Sequence, residues 1–182
     1  MYLFYGMRSE QGLAGQSHRT LEAGYHAVLW QPSMIRVIPH GHVTIRLALK
    51  CVVWWLFHHL RIFSNRNYGM FLIYKDGQVV HRSFVFPRYF RFGFMQENDL
   101  QVGDTWTEER HRGLGLATYA MAEIVRLLGH ENRMFWYLTA AENIKSVKVI
   151  ERTGFQKIGT GVRTRWLGMA WFGQYVLHRA GG

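Results

Sequence analysis

Two glycines, Gly113 and Gly115, are spaced to hold a phosphate. They follow a strand-like run, Asp99 to Thr107, and lead at once into an amphipathic helix, Leu114 to Leu128. Glycine lets the backbone approach a ligand closely. The free N–H groups of a helix start then point at that ligand, and the helix dipole adds to the attraction for an anion. The segment is not a Walker loop, because no Gly-Lys-Ser/Thr follows. It is not the dinucleotide fingerprint either, because the third glycine is missing. Taken alone, it reads equally well as a tight turn that starts a helix.

Other residues could move protons or hold anions. Asp104 shares strand register with Leu100, Val102 and Trp106, so an acid lies on an apolar face. Burial would raise its pKa into a range useful for proton transfer. The alternative is an aspartate at a strand irregularity after Gly103. His81 and Ser83 share one face of an earlier strand, and histidine is the natural proton carrier near neutral pH. A lone strand histidine can also be purely structural. Glu108 and Glu109 read as solvated loop acids. Phe84 to Met95, FVFPRYFRFGFM, interleaves aromatics with Arg88 and Arg91. This is either a stacking platform with phosphate contacts or a buried strand with exposed arginines.

The elements that must position these residues follow from periodicity and punctuation. Residues 1–42 read weakly, with a short helix at Thr20 to Leu29. Val43 to Phe63 is a helix whose Ile45, Leu49, Val52, Leu56, Leu60 and Phe63 form one face, predicted to pack on the core. Arg46, Lys50 and Arg61 interrupt this stretch, so it is too broken to span a bilayer; an interfacial membrane helix or a dimer face is the alternative to core packing. Tyr68 to Tyr74 and Val79 to Phe86 form a hairpin around Asp76-Gly77. After Leu114 to Leu128 come a strand at Met134 to Ala140, a helix at Asn143 to Thr153, and two strands at Phe155 to Thr160 and Thr164 to Leu177. This mixed order predicts an α/β sheet domain. The expected organisation is a single domain over 1–182, with a helical N-terminal part (1–65) and a ligand-binding core (66–182).

The segment Ala141 to Phe155, AENIKSVKVIERTGF, adds a second motif. Together the two segments resemble the GNAT superfamily of N-acetyltransferases. Its pyrophosphate signature, Arg/Gln-x-x-Gly-x-Gly/Ala, is matched by Arg112-Gly113-Leu114-Gly115-Leu116-Ala117, with His111 just before. Its downstream signature is matched by Asn143, Ser146, Gly154 and Phe155. The resemblance covers residues 68–160. Within it, the segment from His81 to Thr107 looks like transferases from bacterial surface-polysaccharide gene clusters.

The resemblance implies a mixed, twisted central sheet, splayed between the strands at 99–107 and 134–140, with acetyl-CoA as co-substrate in the splay. It also implies that Trp106 and Thr107 pair with the pantetheine arm. The amides of Gly113, Leu114, Gly115, Leu116, Ala117 and Thr118 would hold the pyrophosphate, with Arg112 beside them. Asn143 and Ser146 would reach the pantetheine. Many members carry a Tyr four residues before the Gly-Phe glycine as general acid; Ile150 stands there. Ser146 and Tyr137 are then possible proton donors, Asp104 and His81 possible bases, and Arg88 and Arg91 candidate acceptor ligands.

Composition bounds the rest. The 182 residues are 48% hydrophobic and 19% charged, which excludes a disordered tail or a coiled coil. The single cysteine, Cys51, excludes an intramolecular disulfide and a Cys₂His₂ zinc site, and no metal is expected. With no secretory leader or spanning segment evident, a cytoplasmic location is expected. A formal charge of +10 attracts anions. The sequence therefore predicts an acetyl-CoA-dependent transferase of a small-molecule amine, foremost an amino sugar linked to a nucleotide, in a possible homodimer. A protein or peptide amine as acceptor, or a non-enzymatic nucleic-acid or anion binder, are the alternatives. The paired motifs weigh against nucleic acid.

Overall fold

A computed structural model describes residues 1–14, 20–41, 44–164 and 173–179. Eight strands form one sheet in the order β2-β3-β4-β5-β6-β1-β7-β8. They are β1 (Tyr2–Arg8), β2 (Tyr25–Trp30), β3 (Gly69–Lys75), β4 (Gln78–Pro87), β5 (Leu100–Thr107), β6 (Met134–Ala140), β7 (Gln156–Arg163) and β8 (Tyr175–Arg179). The helices are α1 (Ser9–Ala14), α2 (Ile45–His59), α3 (Leu116–Leu128) and α4 (Ile144–Arg152). Neighbouring strands run antiparallel except β5 and β6, which are parallel. This is the mixed α/β architecture expected from the sequence.

The β3–β4 hairpin turns on Asp76 and Gly77, both with positive φ (49° and 74°). That matches the right-handed twist of the paired strands. The final antiparallel pair forms as β7 and β8; residues 165–172 of the predicted last strand lie outside the described residues.

The N-terminal part departs from expectation. Besides the helices α1 and α2 it supplies two strands. The segment predicted as a helix at Thr20 to Leu29 contributes β2, whose half-exposed alternation suits a sheet edge beside β3. β1 is inserted between β6 and β7, and Phe4, Tyr5 and Met7 are buried there.

Two cores flank the sheet. On one face, Leu116, Ala120, Met121, Ile124, Val125 and Leu128 of α3 pack over Tyr5, Phe71, Val85, Leu100 and Phe135. On the other, Phe84, Phe86, Tyr89, Phe92 and Met95 pack with Tyr68, Trp136 and Leu47 and Cys51 of α2. Most aromatics of Phe84 to Met95 are therefore core, with Phe84 and Phe86 stacked 5.5 Å apart, while Phe90 is 40% exposed. The strand reading holds as far as Pro87; beyond it the segment turns through a 3₁₀ helix at Phe90–Phe92, and Arg88 and Arg91 are half-buried.

Helix α2 corrects a second expectation. Its buried residues are Leu47, Cys51 and His58, with Trp54 half-buried against Phe63 and Phe86. The stripe predicted to pack faces outward: Ile45 is 80% exposed, Leu49 63% and Leu60 67%. Phe63, beyond the helix, is the member of that stripe that is buried. At 100° per residue the two stripes lie on opposite sides of the helix, and the aromatic side that meets the sheet won. Among the described residues no helix is long and apolar enough to cross a membrane.

Candidate functional site

The site begins where the sheet opens. β5 pairs with β6 at Leu100–Phe135, Gln101–Trp136 and Val102–Tyr137, and no further. Asp99 holds the closed end together. Its carboxylate accepts from Gln96 N (2.9 Å), Met134 N (3.2 Å) and Trp136 Nε1 (2.9 Å). Beyond Val102 the β4–β5 register shifts between Arg82 and Phe84, and Asp104 adopts φ 46°. This bulge bends β5 away from β6 while its other edge stays paired to β4 as far as Thr107. The edge of β5 that faces β6 is thus left without a strand partner over residues 103–107.

The bend also divides the side chains of β5 between two faces. Thr105 and Thr107 meet a buried polar chain: Thr107 Oγ1 lies 2.8 Å from His81 Nδ1, His81 Nε2 lies 3.1 Å from Ser83 Oγ, and Ser83 Oγ lies 3.0 Å from Thr105 Oγ1. His81 and Ser83 are fully buried. Burial, then the charge of Arg82, pushes the His81 pKa down to about 3, so the ring is neutral near pH 7. Asp104 meets Lys50 of α2 at 2.6 Å, and Arg82 stacks on the Trp106 ring at 4.9 Å. Asp104 is therefore exposed at a strand irregularity after Gly103, one of its two readings from sequence, and not buried on an apolar face.

The glycine loop adjoins this gap. A turn of 3₁₀ helix at Glu109–His111 leads to Arg112, whose Nε donates to Thr107 O (3.2 Å) and Nη1 to Glu109 (3.3 Å). Gly113 and Gly115 have φ 86° and 78°, a region that disfavours side chains. A Cβ at Gly113 would meet nothing within 4 Å, so the loop presents bare backbone to open space. Gly115 caps α3 with no side-chain hydrogen bond, and the first turn carries no acid. The amides of Leu116, Ala117 and Thr118 precede the first i→i−4 donor, Tyr119 N, which bonds Gly115 O at 2.9 Å. A pocket of about 330 Å³ opens there, lined by Thr20, Leu21, Glu22, Tyr25, Leu114, Gly115, Leu116 and Tyr119. Its wall is braced by Tyr25, whose hydroxyl lies 2.7 Å from His111 Nδ1. His111 Nε2 in turn lies 3.7 Å from Glu108.

Comparison with known proteins agrees with this geometry. A profile described as the acetyltransferase (GNAT) family matches residues 39–155. The chain belongs to the acetyltransferase (GNAT) family. No curated protein matches. Solved structures share the fold. A tandem GNAT protein from the clavulanic acid biosynthesis pathway superposes with a TM-score of 0.57 at 16% identity, over 86% of this chain and 50% of that one. A GNAT acetyltransferase from Colwellia psychrerythraea gives 0.55 at 12%, over 86% and 52%. A GNAT-family protein from Bordetella pertussis gives 0.51 at 19%, over 85% and 95%. The first four structures matched are longer: this chain spans 47% to 57% of their length.

In this GNAT chain the downstream motif lies across the gap, at the end of β6. Asn143 caps α4, its Oδ1 accepting from Ser146 N at 3.2 Å. That contact accounts for an Asn followed three residues later by a small residue. Ile150 is fully buried in the core. Tyr137 is buried next to the apex, opposite Tyr5 in register. The Tyr5 hydroxyl donates to Glu151 at 3.0 Å, and burial, with Glu151 beside it, pushes its pKa up to about 12.

Arg88 and Arg91 lie past Pro87, the β4 residue paired with Leu100, so they flank the closed end of β5 and not the open one. Arg91 lies over Phe90 at 5.8 Å. Lys50 and Arg82 border the open end together with Arg112, and the sequence reading gave Lys50 and Arg82 no part in the site. The signal for them was the bulge: once Asp104 rotates toward α2, so do its neighbours on that face.

Proposed function

We propose that this chain is an acetyl-CoA-dependent N-acetyltransferase acting directly on a small-molecule amine. One observation carries the reading: the unpaired edge of β5 ends at Thr107, whose carbonyl is held by Arg112 just before the uncapped start of α3. The bare edge at 103–107 suits an extended amide chain, which Trp106 and Thr107 would pair with as a neighbouring strand would. The amides from Gly113 to Thr118 suit a pyrophosphate, with Arg112 tying the loop to β5. Acetyl-CoA supplies the acetyl group activated as a thioester.

The chain's own groups would then manage two protons. As the amine nitrogen bonds to the acetyl carbon, the carbon–sulfur bond breaks and the sulfur leaves as thiolate. Asp104, exposed on the α2 face, accepts the proton the amine loses, directly or through water. Tyr137 or Ser146 supplies the proton the thiolate gains. His81, neutral and buried, serves as a positioning residue: it holds Thr107 and, through Ser83, Thr105, and so fixes the bent strand.

We favour an amino sugar linked to a nucleotide as acceptor, a substrate of the kind used in surface-polysaccharide synthesis. Supporting it are the +10 charge, more than one CoA requires, and Arg82 against Trp106 on the face where Asp104 lies. A cation beside a ring suits a phosphorylated ring compound. Arg88 and Arg91 can take part only from the closed end of β5.

Thiol release measured with acetyl-CoA and a panel of nucleotide-linked amino sugars, free amino sugars and peptides tests both levels. The nucleotide-linked sugars should give the highest kcat/KM. Activity confined to peptides would remove the acceptor assignment. Absence of CoA binding, or a CoA-induced thermal shift that survives unchanged in Gly115→Val, would remove the transferase reading itself.

A further inference from the structure

Among the described residues the outward stripe of α2 has no partner, and its surroundings indicate what covers it. Ile45, Leu49, Val52, Val53, Leu56 and Leu60 are all exposed, along the full length of the helix. The preceding loop extends the patch. Trp55 Nε1 donates to Ser33 O at 2.9 Å, which fastens the loop to α2, and Met34 (72%) and Ile35 (89%) protrude from it. An apolar surface of this continuity is rare on a monomer that stays in bulk water.

Charge selects the occupant. Between Glu22 and Asp76 the chain contains no acidic residue and six cations: Arg36, Arg46, Lys50, Arg61, Arg66 and Lys75. Arg46 and Lys50 fall along one edge of the apolar stripe at 100° per residue, and Arg36 lies between the protruding Ile35 and Ile38. Of these cations Lys50 pairs with an acid, Asp104. Long cationic side chains bordering an apolar stripe can keep their charge among headgroups while the stripe enters the acyl boundary. A second copy of this chain would bring the same cations against each other.

We propose that α2 and the loop at residues 33–38 form a docking surface for an anionic lipid bilayer, with α2 lying in the plane of the interface. The fold already holds the helix by its opposite, aromatic side, so docking needs no rearrangement of the core. This surface is independent of acetyl transfer, and it borders the face of the sheet where Asp104 lies.

Flotation of the full chain with vesicles decides it. One set is pure phosphatidylcholine; the other is one part phosphatidylglycerol to two parts phosphatidylcholine. The protein should float with the anionic vesicles, less so as salt rises, and stay behind with the neutral ones. L49D/L56D should lower the partition coefficient by about tenfold or more, because it removes apolar contact and adds like charge to the lipid. R36E/R46E, which leaves the stripe intact, should lower it several-fold and flatten the salt dependence. All four positions are exposed, so circular dichroism and Tm should match the wild type. Recovery with neither vesicle, or equal recovery of the wild type and both variants, would overturn the proposal. A wild-type dimer by light scattering that L49D/L56D converts to monomer, without vesicle recovery, would overturn it in favour of a second copy.

Discussion

Helices α2 and α3 look alike on paper and behave oppositely. Both carry apolar residues at steps of three and four. In α3 that stripe is the buried one: Ala120, Met121, Ile124 and Leu128 lie against the sheet. In α2 the regular stripe faces out, and a less regular one, Leu47, Cys51 and His58 with Trp54, faces in. Periodicity identifies residues that share a side of a helix. It does not say which side meets the core when both sides are apolar. The partner surface decides, and the partner of α2 is the aromatic face built by Tyr68, Phe84 and Phe86, where Trp54 makes edge contacts.

The contrast can be broken or sharpened by substitution. The largest effect should come from beneath α3. Ile124→Ala leaves a cavity in a fully buried site and should cost about 2–5 kcal/mol in chemical denaturation. A loss below about 1 kcal/mol would mean that α3 is not packed as described.

Next is the histidine under the sheet. Its folded pKa, pushed down to about 3, lies below the ordinary value of 6.5. The unfolded chain therefore takes up a proton as pH falls below 6.5 while the folded chain does not, so stability drops toward acid. Between pH 7 and pH 5 the loss from His81 should reach about 2 kcal/mol. Tm measured against pH should show that slope, and His81→Asn should flatten it.

A third effect separates the two stripes of α2. Leu47→Ala should cost about 2 kcal/mol, whereas Leu56→Ala should stay within about 0.5 kcal/mol. The reverse order would mean that the helix packs by its regular stripe after all. The buried Cys51 thiol gives a second readout. Burial pushes its pKa up to about 11, so alkylation near neutral pH should proceed at the rate of unfolding.

The smallest effect belongs to the tether between α2 and the bulge. Lys50→Ala removes a half-exposed ion pair with Asp104 and should change stability by about 0–1 kcal/mol, less at high salt. Its larger effect should appear in kcat, if Asp104 takes the proton of the amine.

Local grammar was readable wherever neighbours in sequence are neighbours in space. The Asp-Gly hairpin, the strand–glycine–helix run and the helix that follows Asn143 all belong to that kind, and each formed where its residues said. What failed depended on distant surfaces. β2 read as a helix because its sheet partner, β3, lies about forty residues on. Asp104 had two readings because strict alternation, which would bury it, carries through a strand only until a bulge, and Gly103 was the hint of one. Arg82 and Lys50 became site residues only once that bulge turned Asp104 and Trp106 toward α2. The aromatic segment at 84–95 offered two equal readings, and the choice rested on how much of the second core it had to fill.

The position of β1 has a consequence for the order of assembly. Tyr2 pairs with Ala140 on one side and Gly161 on the other. β1 leaves the ribosome more than a hundred residues ahead of β6 and β7, its two partners. Until they appear Phe4, Tyr5 and Met7 have no neighbouring strand, and closing so long a loop slows the step that completes it. β3 and β4 can zip early around their turn, and β5 can join them. The β6-β1-β7 half must wait until β7 has been made, so the gap between β5 and β6 is also the seam between early and late folding.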